Sequence, residues 1–274
     1  MKVWVNSKLH DPADARVAIF DHGLTAGDGV FEAIKVTGGA PFALSRHLQR
    51  LRRSALGLGL GEPALEEIRA GVRQVIESAG PLERARVRIT VTGGHSPLGT
   101  DRGGGPLTAV VALEERGPAA PVADVVIAPW RRNEHGALTG LKTISYAENV
   151  RALAYAHERG AIEAIFGNTV GNLCEGTGTN VFLAAGGELV TPPLSAGCLA
   201  GVTRALVLEW CEATERDVPL GALAAADEAF LTSTMRDIQP IRSVDGKPLA
   251  SAPGPATSRA AEVFAERAAE NCDP

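Results

Sequence analysis

The chain has 274 residues and a formal net charge of -5, with 45% hydrophobic and 22% charged residues. This composition excludes a disordered chain and leaves room for one large domain or two ordinary ones around a sizeable core. The acidic balance argues against nucleic acid as the main partner, since a phosphate backbone calls for a basic surface.

No apolar run approaches the ~20 residues that span a bilayer, so no membrane partner is expected. Residues 1–11 lack a leader-type apolar stretch, and a cytoplasmic setting is expected. In chain order, Val3-Trp4-Val5 has strand character and residues 17–20 form a second apolar stretch. A glycine-rich loop follows at 21–29. Residues 30–36 read as a strand, and Gly38-Gly39 supplies a hairpin turn. Ser45 is placed to cap a helix through His47, Leu48, Leu51 and Leu56. Residues 63–79 set Leu65, Ile68, Val72, Val75 and Ile76 on one helical face. Strands at 87–92 and 107–113 flank a glycine-rich stretch, 93–105, read as a mobile loop of the kind that serves as a substrate lid. Proline, glycine and charge at 115–121 mark a domain boundary, giving domains 1–116 and 122–274.

The second half opens with a strand at 122–128 and an irregular stretch at 131–140. A helix at 146–159 stops at Gly160, and a buried strand covers 161–166. Residues 181–184 and 188–191 form a hairpin over Gly186-Gly187. Gly201-Val202-Thr203 opens a helix through Leu206, Val207 and Trp210. A short helix at 223–226, a strand at 228–232 and a final helix at 255–270 complete the chain. Helices and strands mix in both halves, so an α+β fold with mainly antiparallel sheets is expected.

Of the 27 basic residues only Lys2, Lys8, Lys35, Lys142 and Lys247 are lysine. Arginine stays protonated and cannot act as an amine nucleophile, whereas lysine can once its pKa is lowered. Lys142 lies between an irregular segment and a helix, where scaffolds present reactive groups. Taken alone, it reads as a solvated charge. Glu175 sits in Leu173-Cys174-Glu175-Gly176-Thr177-Gly178-Thr179-Asn180, whose small residues let a flat ligand approach the backbone; alone it is a turn acid. The Gly201-Val202-Thr203-Arg204 helix start offers free N–H groups and a hydroxyl to an anion, Ser233-Thr234 could add donors, and the Arg50 guanidinium suits phosphate. The 57–61 glycine run follows a helix and is no dinucleotide fingerprint. The six histidines lack i, i+4 pairing and Cys174, Cys198, Cys211 and Cys272 form no C-x-x-C pair, so no metal is expected and the thiols read as reduced and mostly structural.

The order of these motifs is more specific than any one of them. His47-x-x-Arg50-Leu51 is followed by Lys142-x-x-x-Tyr146-x-x-Asn149 and Glu175-Gly-x-x-x-Asn180-x-Phe182. Then come Leu199-x-Gly201-Val-Thr-Arg204, Asp227-Glu228-x-Phe230 and Ser233-Thr234. The series resembles the class IV aminotransferase family, the fold-type IV enzymes of pyridoxal 5'-phosphate, over residues 21–246. The resemblance implies a small N-terminal α/β domain and a larger C-terminal domain, with the cofactor between them, and a homodimer. It implies that Lys142 is the Schiff-base lysine and proton carrier. Glu175 would pair with the pyridine nitrogen and Tyr146 would lie near the cofactor oxygen. Leu199 would pack on the ring, and Arg50, Val202, Thr203 and Thr234 would hold the phosphate. Phe31 stands where D-amino-acid aminotransferases carry tyrosine, and Gly93-Gly94-His95 lacks the arginine they use for the substrate carboxylate. The Lys142 and Leu199 segments are similar to bacterial aminodeoxychorismate lyases. A lyase releasing 4-aminobenzoate and pyruvate for folate biosynthesis is therefore the first expectation. The second is an aminotransferase acting on a branched-chain or D-amino acid or an amine with a 2-oxo acid acceptor. The third is a catalytically silent relative that binds a phosphorylated ligand.

Overall fold

A computed structural model describes residues 1–274, apart from the side chain of Ala185. The chain divides into two compact units. Unit 1 holds Met1–Pro118, Leu141–Ser145 and Cys272–Pro274, and unit 2 holds Ala119–Gly140 and Tyr146–Asn271. The expected pair of contiguous segments, 1–116 and 122–274, is too simple, because the chain returns to unit 1 twice. One of those returns carries Lys142.

Unit 1 contains strands β1 (Val3–Val5), β2 (Lys8–His10), β3 (Gly29–Thr37), β4 (Ala40–Pro41), β5 (Arg84–Thr92) and β6 (Thr108–Glu115). They lie in the order β2-β1-β6-β5-β3-β4, every neighbouring pair antiparallel. Helices α1 (His22–Ala26), α2 (Leu44–Leu58) and α3 (Leu65–Ala79) complete it. Alternation along β3 sends Val30, Ile34 and Val36 into one core with Leu48 and Leu51 of α2 and Ile68, Val72 and Val75 of α3. Glu32 has the same parity and is fully buried. There it accepts hydrogen bonds from His47 Nδ1 at 2.7 Å, Arg50 Nε at 2.8 Å and Arg50 Nη2 at 2.7 Å. Burial alone would raise the Glu32 pKa. The Arg50 charge and the hydrogen bonds from Arg50 and His47 overcome this and bring it down to about 2. Burial lowers the His47 pKa, against the pull of Glu32.

The apolar stretch at 17–20 leaves Val17, Ile19 and Phe20 exposed. Two expectations in unit 1 are corrected. Ser45 does not cap α2; Ala43 holds the cap position in the left-handed region without a side-chain bond. A carboxylate from the far end of the chain serves instead, with Asp273 accepting from the Ser45 N–H at 2.8 Å and the Ser45 hydroxyl at 2.6 Å. The 93–105 loop is tied down. Arg102 donates to both Asp28 oxygens and to the Leu58 and Gly59 carbonyls, and His22 bridges Asp28 and the Gly99 carbonyl. Those two acceptors, Asp28 first, raise the His22 pKa and favour the imidazolium that donates from both nitrogens.

Unit 2 contains β7 (Ala123–Arg132), β8 (Glu163–Asn168), β9 (Leu173–Gly176), β10 (Asn180–Ala185), β11 (Glu188–Thr191), β12 (Ala213–Glu215), β13 (Glu228–Ser233), β14 (Asp237–Val244) and β15 (Lys247–Pro248). The order is β12-β11-β10-β13-β14-β7-β8-β9, with β15 on β14. β7 runs parallel to both β8 and β14, and β11 runs parallel to β12, so this sheet is mixed where antiparallel pairing was expected. Val125 of β7 points into a core with Ile165, Leu183, Leu231 and Ile241, while Val126 and Ala128 face Ala152 and Ala156 of helix α4 (Ala147–His157). Helices α5 (Val202–Trp210) and α6 (Pro255–Glu270) meet through Trp210 and Phe264. The α+β expectation agrees with this architecture.

Asp273→Ala is expected to lower the unfolding free energy by about 1 kcal/mol, the usual worth of an N-terminal helix cap, as read by urea denaturation. Glu32→Gln is expected to cost about 3–5 kcal/mol near neutral pH, because it breaks a buried ion pair. The folded-state pKa of Glu32 lies below the ordinary 4.5. Its stabilisation is therefore complete above that value and is lost as pH falls towards about 2. Urea melts from neutral pH down to pH ~3 should show the gap between wild type and E32Q narrowing below the ordinary carboxylate range. A gap independent of pH would refute the assignment.

Candidate functional site

In unit 1 the backbone around Lys142 is fixed by the free half of an edge strand. β4 pairs only with Val36 and Thr37 of β3. Residues 142–144 take the other half, through an antiparallel bridge between Val30 and Thr143. The Phe31 N–H donates to the Lys142 carbonyl at 3.0 Å, and the Ile144 N–H donates to the Gly29 carbonyl at 2.9 Å. The Lys142 N–H donates to Ser54 Oγ of α2 at 3.1 Å, and Ser54 is fully buried. The side chain then runs out to place Nζ 4.4 Å from the centroid of the Phe31 ring. The guanidinium of Arg88, on β5, lies 3.9 Å from the same centroid. Arg50 sits on the opposite side of β3, with its Nε and Nη2 on Glu32.

In unit 2 Glu175 lies in β9, paired with β8, rather than in the turn read from its small neighbours. Its Oε2 accepts from the Leu199 N–H at 2.9 Å, and Arg132 Nε approaches Oε1 at 3.4 Å. Arg132 in turn lies 4.3 Å from the Phe166 ring centroid. The turn after Glu175 is shaped by buried Glu163, which accepts from the Thr177 N–H at 2.9 Å and forms an ion pair with Arg236 Nη1 at 3.1 Å, and by Asn149, which donates to the Thr177 carbonyl. Cys174 and Cys198 are buried, and burial pushes the Cys198 thiol up to about 12 and Cys174 higher, so both stay protonated.

The N-terminus of α5 is built for close approach. Gly201 is its cap residue and supplies no side-chain hydrogen bond to the first turn. A Cβ on Gly201 would fall 2.0 Å from Asn180 Oδ1, and Asn180 Nδ2 holds the Leu199 carbonyl at 2.9 Å. Val202 and Thr203 are buried in the first turn. Thr234 is half-buried between β13 and β14, and Tyr146 is half-buried at the start of α4. Within unit 2 the structure thus brings Glu175 and Leu199 into direct contact and places Val202 and Thr203 side by side. Within unit 1 it joins Lys142 to Phe31.

Residues missed from sequence include Arg132, Arg88 and the Glu32–His47 pairing. For Glu32 a signal existed: a carboxylate at an inward position of β3, followed by His47-x-x-Arg50 one turn apart on a helix face. Arg132 had none, since it lies where the strand was expected to have ended.

The family model described as class IV amino-transferase matches residues 29–244. A "Putative branched-chain-amino-acid aminotransferase" of Methanocaldococcus jannaschii is 34% identical over 260 residues, covering 90% of this chain and 89% of the relative. An aminodeoxychorismate lyase of Bacillus subtilis is 28% identical over 272 residues, covering 93% and 91%. A branched-chain aminotransferase from Thermoproteus uzoniensis, solved with norvaline, superposes with a TM-score of 0.91 at 31% identity, covering 97% of this chain and 94% of that one. A match of this extent, on a fold that agrees throughout, places the chain in the class IV aminotransferase family.

Proposed function

We propose that the chain transfers an amino group from a branched-chain amino acid to a 2-oxo acid. The observation that carries this choice is the likeness to branched-chain aminotransferases across nine-tenths of the chain, stronger than the likeness to the lyase. The first expectation, elimination from aminodeoxychorismate, and with it a role in folate biosynthesis, yields to the second.

Enzymes of this family use pyridoxal phosphate. The donor set here fits it. The uncapped first turn of α5 and the Thr203 hydroxyl suit a phosphate dianion, and the absence of a Cβ at Gly201 lets that anion reach the backbone. Glu175, steadied by the Leu199 N–H, suits a protonated pyridine nitrogen. In this reading Val202, Thr203 and Thr234 hold the phosphate and Leu199 packs on the ring. Tyr146 would lie near the ring oxygen, and Lys142 would hold the cofactor through Nζ. Arg50 is assigned to the phosphate as well, with one edge of its guanidinium kept in place by Glu32. When bound, the cofactor supplies an electron sink for charge left at the carbon beside the substrate amine. Lys142 Nζ would act as the base that takes the proton from the carbon beside the substrate amine, and as the acid that gives one back. The three main-chain hydrogen bonds at residues 142 and 144 fix the root of the side chain, so the amine swings from a constant point. The family's homodimer belongs to the same proposal. No helix among the described residues is long and apolar enough to cross a membrane.

Purified enzyme given leucine, isoleucine or valine with 2-oxoglutarate is expected to form glutamate and the matching branched-chain 2-oxo acid. Release of 4-aminobenzoate from aminodeoxychorismate without an acceptor, and no transfer from these amino acids, would reverse the choice. Lys142→Ala is expected to lose the near-visible absorption of the lysine-bound cofactor and to lower kcat about a thousandfold, within the range of general acid–base catalysis. Glu175→Gln should keep the absorption band and lose most of kcat.

A further inference from the structure

A branched-chain amino acid presents an amine and a carboxylate separated by a single carbon. The loop at 93–105 carries one arginine, Arg102, and it is committed to Asp28 and two backbone carbonyls. Arg86 of β5 is paired with Glu114 at 2.7 Å. Arg50 is turned to the helix side of the sheet, where it meets Glu32. Arg88 occupies a different position. In the β3–β5 ladder Phe31 lies opposite Thr90 and Ala33 opposite Arg88, which puts Phe31 and Arg88 on the same sheet face and Glu32 on the other. Arg88 Nε donates to Thr90 Oγ1 at 3.2 Å, which orients the guanidinium plane over the Phe31 ring. Since Lys142 Nζ and Arg88 Cζ lie 4.4 Å and 3.9 Å from one ring centroid, their separation cannot exceed the sum of those distances.

We propose that Arg88 is the specificity-determining residue that receives the substrate carboxylate, with Phe31 as the apolar platform between it and the amine of Lys142. The inference rests on the transamination reading above. A substrate amine arriving where Lys142 Nζ acts brings its carboxylate, one carbon away, within reach of Arg88. Guanidinium and carboxylate match as two parallel hydrogen bonds, and a cation stacked on a ring keeps its plane. A simple amine lacks this anchor. The same site therefore selects amino acids and 2-oxo acids over amines of equal apolar bulk.

Two fragments of leucine separate the contributions. The compound 4-methylvalerate keeps the tail and the carboxylate, and 3-methylbutylamine keeps the tail and the amine. Holoenzymes of wild type, Arg88→Leu and Arg88→Lys, with cofactor absorption confirmed in each, are titrated calorimetrically with both. R88L is expected to weaken 4-methylvalerate by about ten- to hundredfold, the worth of a charge-assisted bidentate pair, and to leave 3-methylbutylamine unchanged. R88K should fall between, since an ammonium cannot form the parallel pair. Leucine turnover in R88L should lose kcat/KM mainly through KM. Equal weakening of both fragments would reduce Arg88 to a prop for Phe31 and overturn the proposal. Unchanged 4-methylvalerate affinity, or none in the wild type, would also overturn it. Carboxylate binding that depends on Arg88 in an enzyme that transfers nothing from leucine would sink the transamination reading and leave this one standing.

Discussion

Residues 142–144 reach Phe31 by completing the open edge of β3, and the placement of Lys142 in unit 1 depends on that short stretch of pairing. A lysine side chain has four rotatable carbons and gains little precision of its own. Its root is fixed instead, by bonds to and from the main chain on both sides of the Val30–Thr143 bridge. The close fit needs Gly29, where a Cβ would come within 2.8 Å of both Ile144 Cδ1 and the Val91 carbonyl. The first could rotate away. The second is locked in the β3–β5 ladder and could not. Because side chains alternate, a slip of one residue in β3 would turn Phe31 toward the helices and Glu32 toward the amine.

The buried Glu32 cluster opposes that slip. Taking a carboxylate and a guanidinium out of water costs several kcal/mol per ion, and their attraction offsets this only when the geometry is good. Here one carboxylate is met by three nitrogens at 2.7–2.8 Å, two from Arg50 and one from His47, a turn apart on α2. A register in which Glu32 missed these donors would bury a charge with nothing to balance it. The cluster therefore contributes more to the uniqueness of the β3–α2 packing than to its net stability. It serves the Phe31 face indirectly, by fixing which residue of β3 points which way.

How much of this was legible follows from where each signal resides. The final helix was readable to its ends because Pro255 marks its first turn and the apolar spacing is local. The Gly186-Gly187 hairpin was readable because a two-residue turn fixes its own register. β14 escaped because Pro240 sits within it, and proline argues against a strand paired on both sides. Glu175 read as a turn because Gly176 and the threonines follow it, while its strand exists only through pairing with Phe166. The cap on α2 comes from Asp273, more than two hundred residues away, and no local pattern announces it. Lys142 was singled out through ordered motifs. Its membership of the first unit was not, since that rests on pairing with residues 29–31 that share nothing with it in sequence.

The same distinction explains why the reaction was harder to read than the cofactor. A phosphate, a pyridine nitrogen and an amine place fixed demands on a helix start, a carboxylate and a lysine, and those demands are common to transfer and elimination. The two reactions part where the substrate shows its own groups. Elimination needs room and donors for a departing group; transfer needs the proton returned beside the ring and the carboxylate held still while this happens. Around Lys142 the structure offers an apolar ring and a second cation, both on one sheet face. On the proposed reading, an apolar platform with a single charged anchor suits a small aliphatic amino acid better than a large cyclic dicarboxylate, which would call for several polar partners. That contrast lies in Phe31 and Arg88, two residues on adjacent strands, and not in the motifs that identify the family.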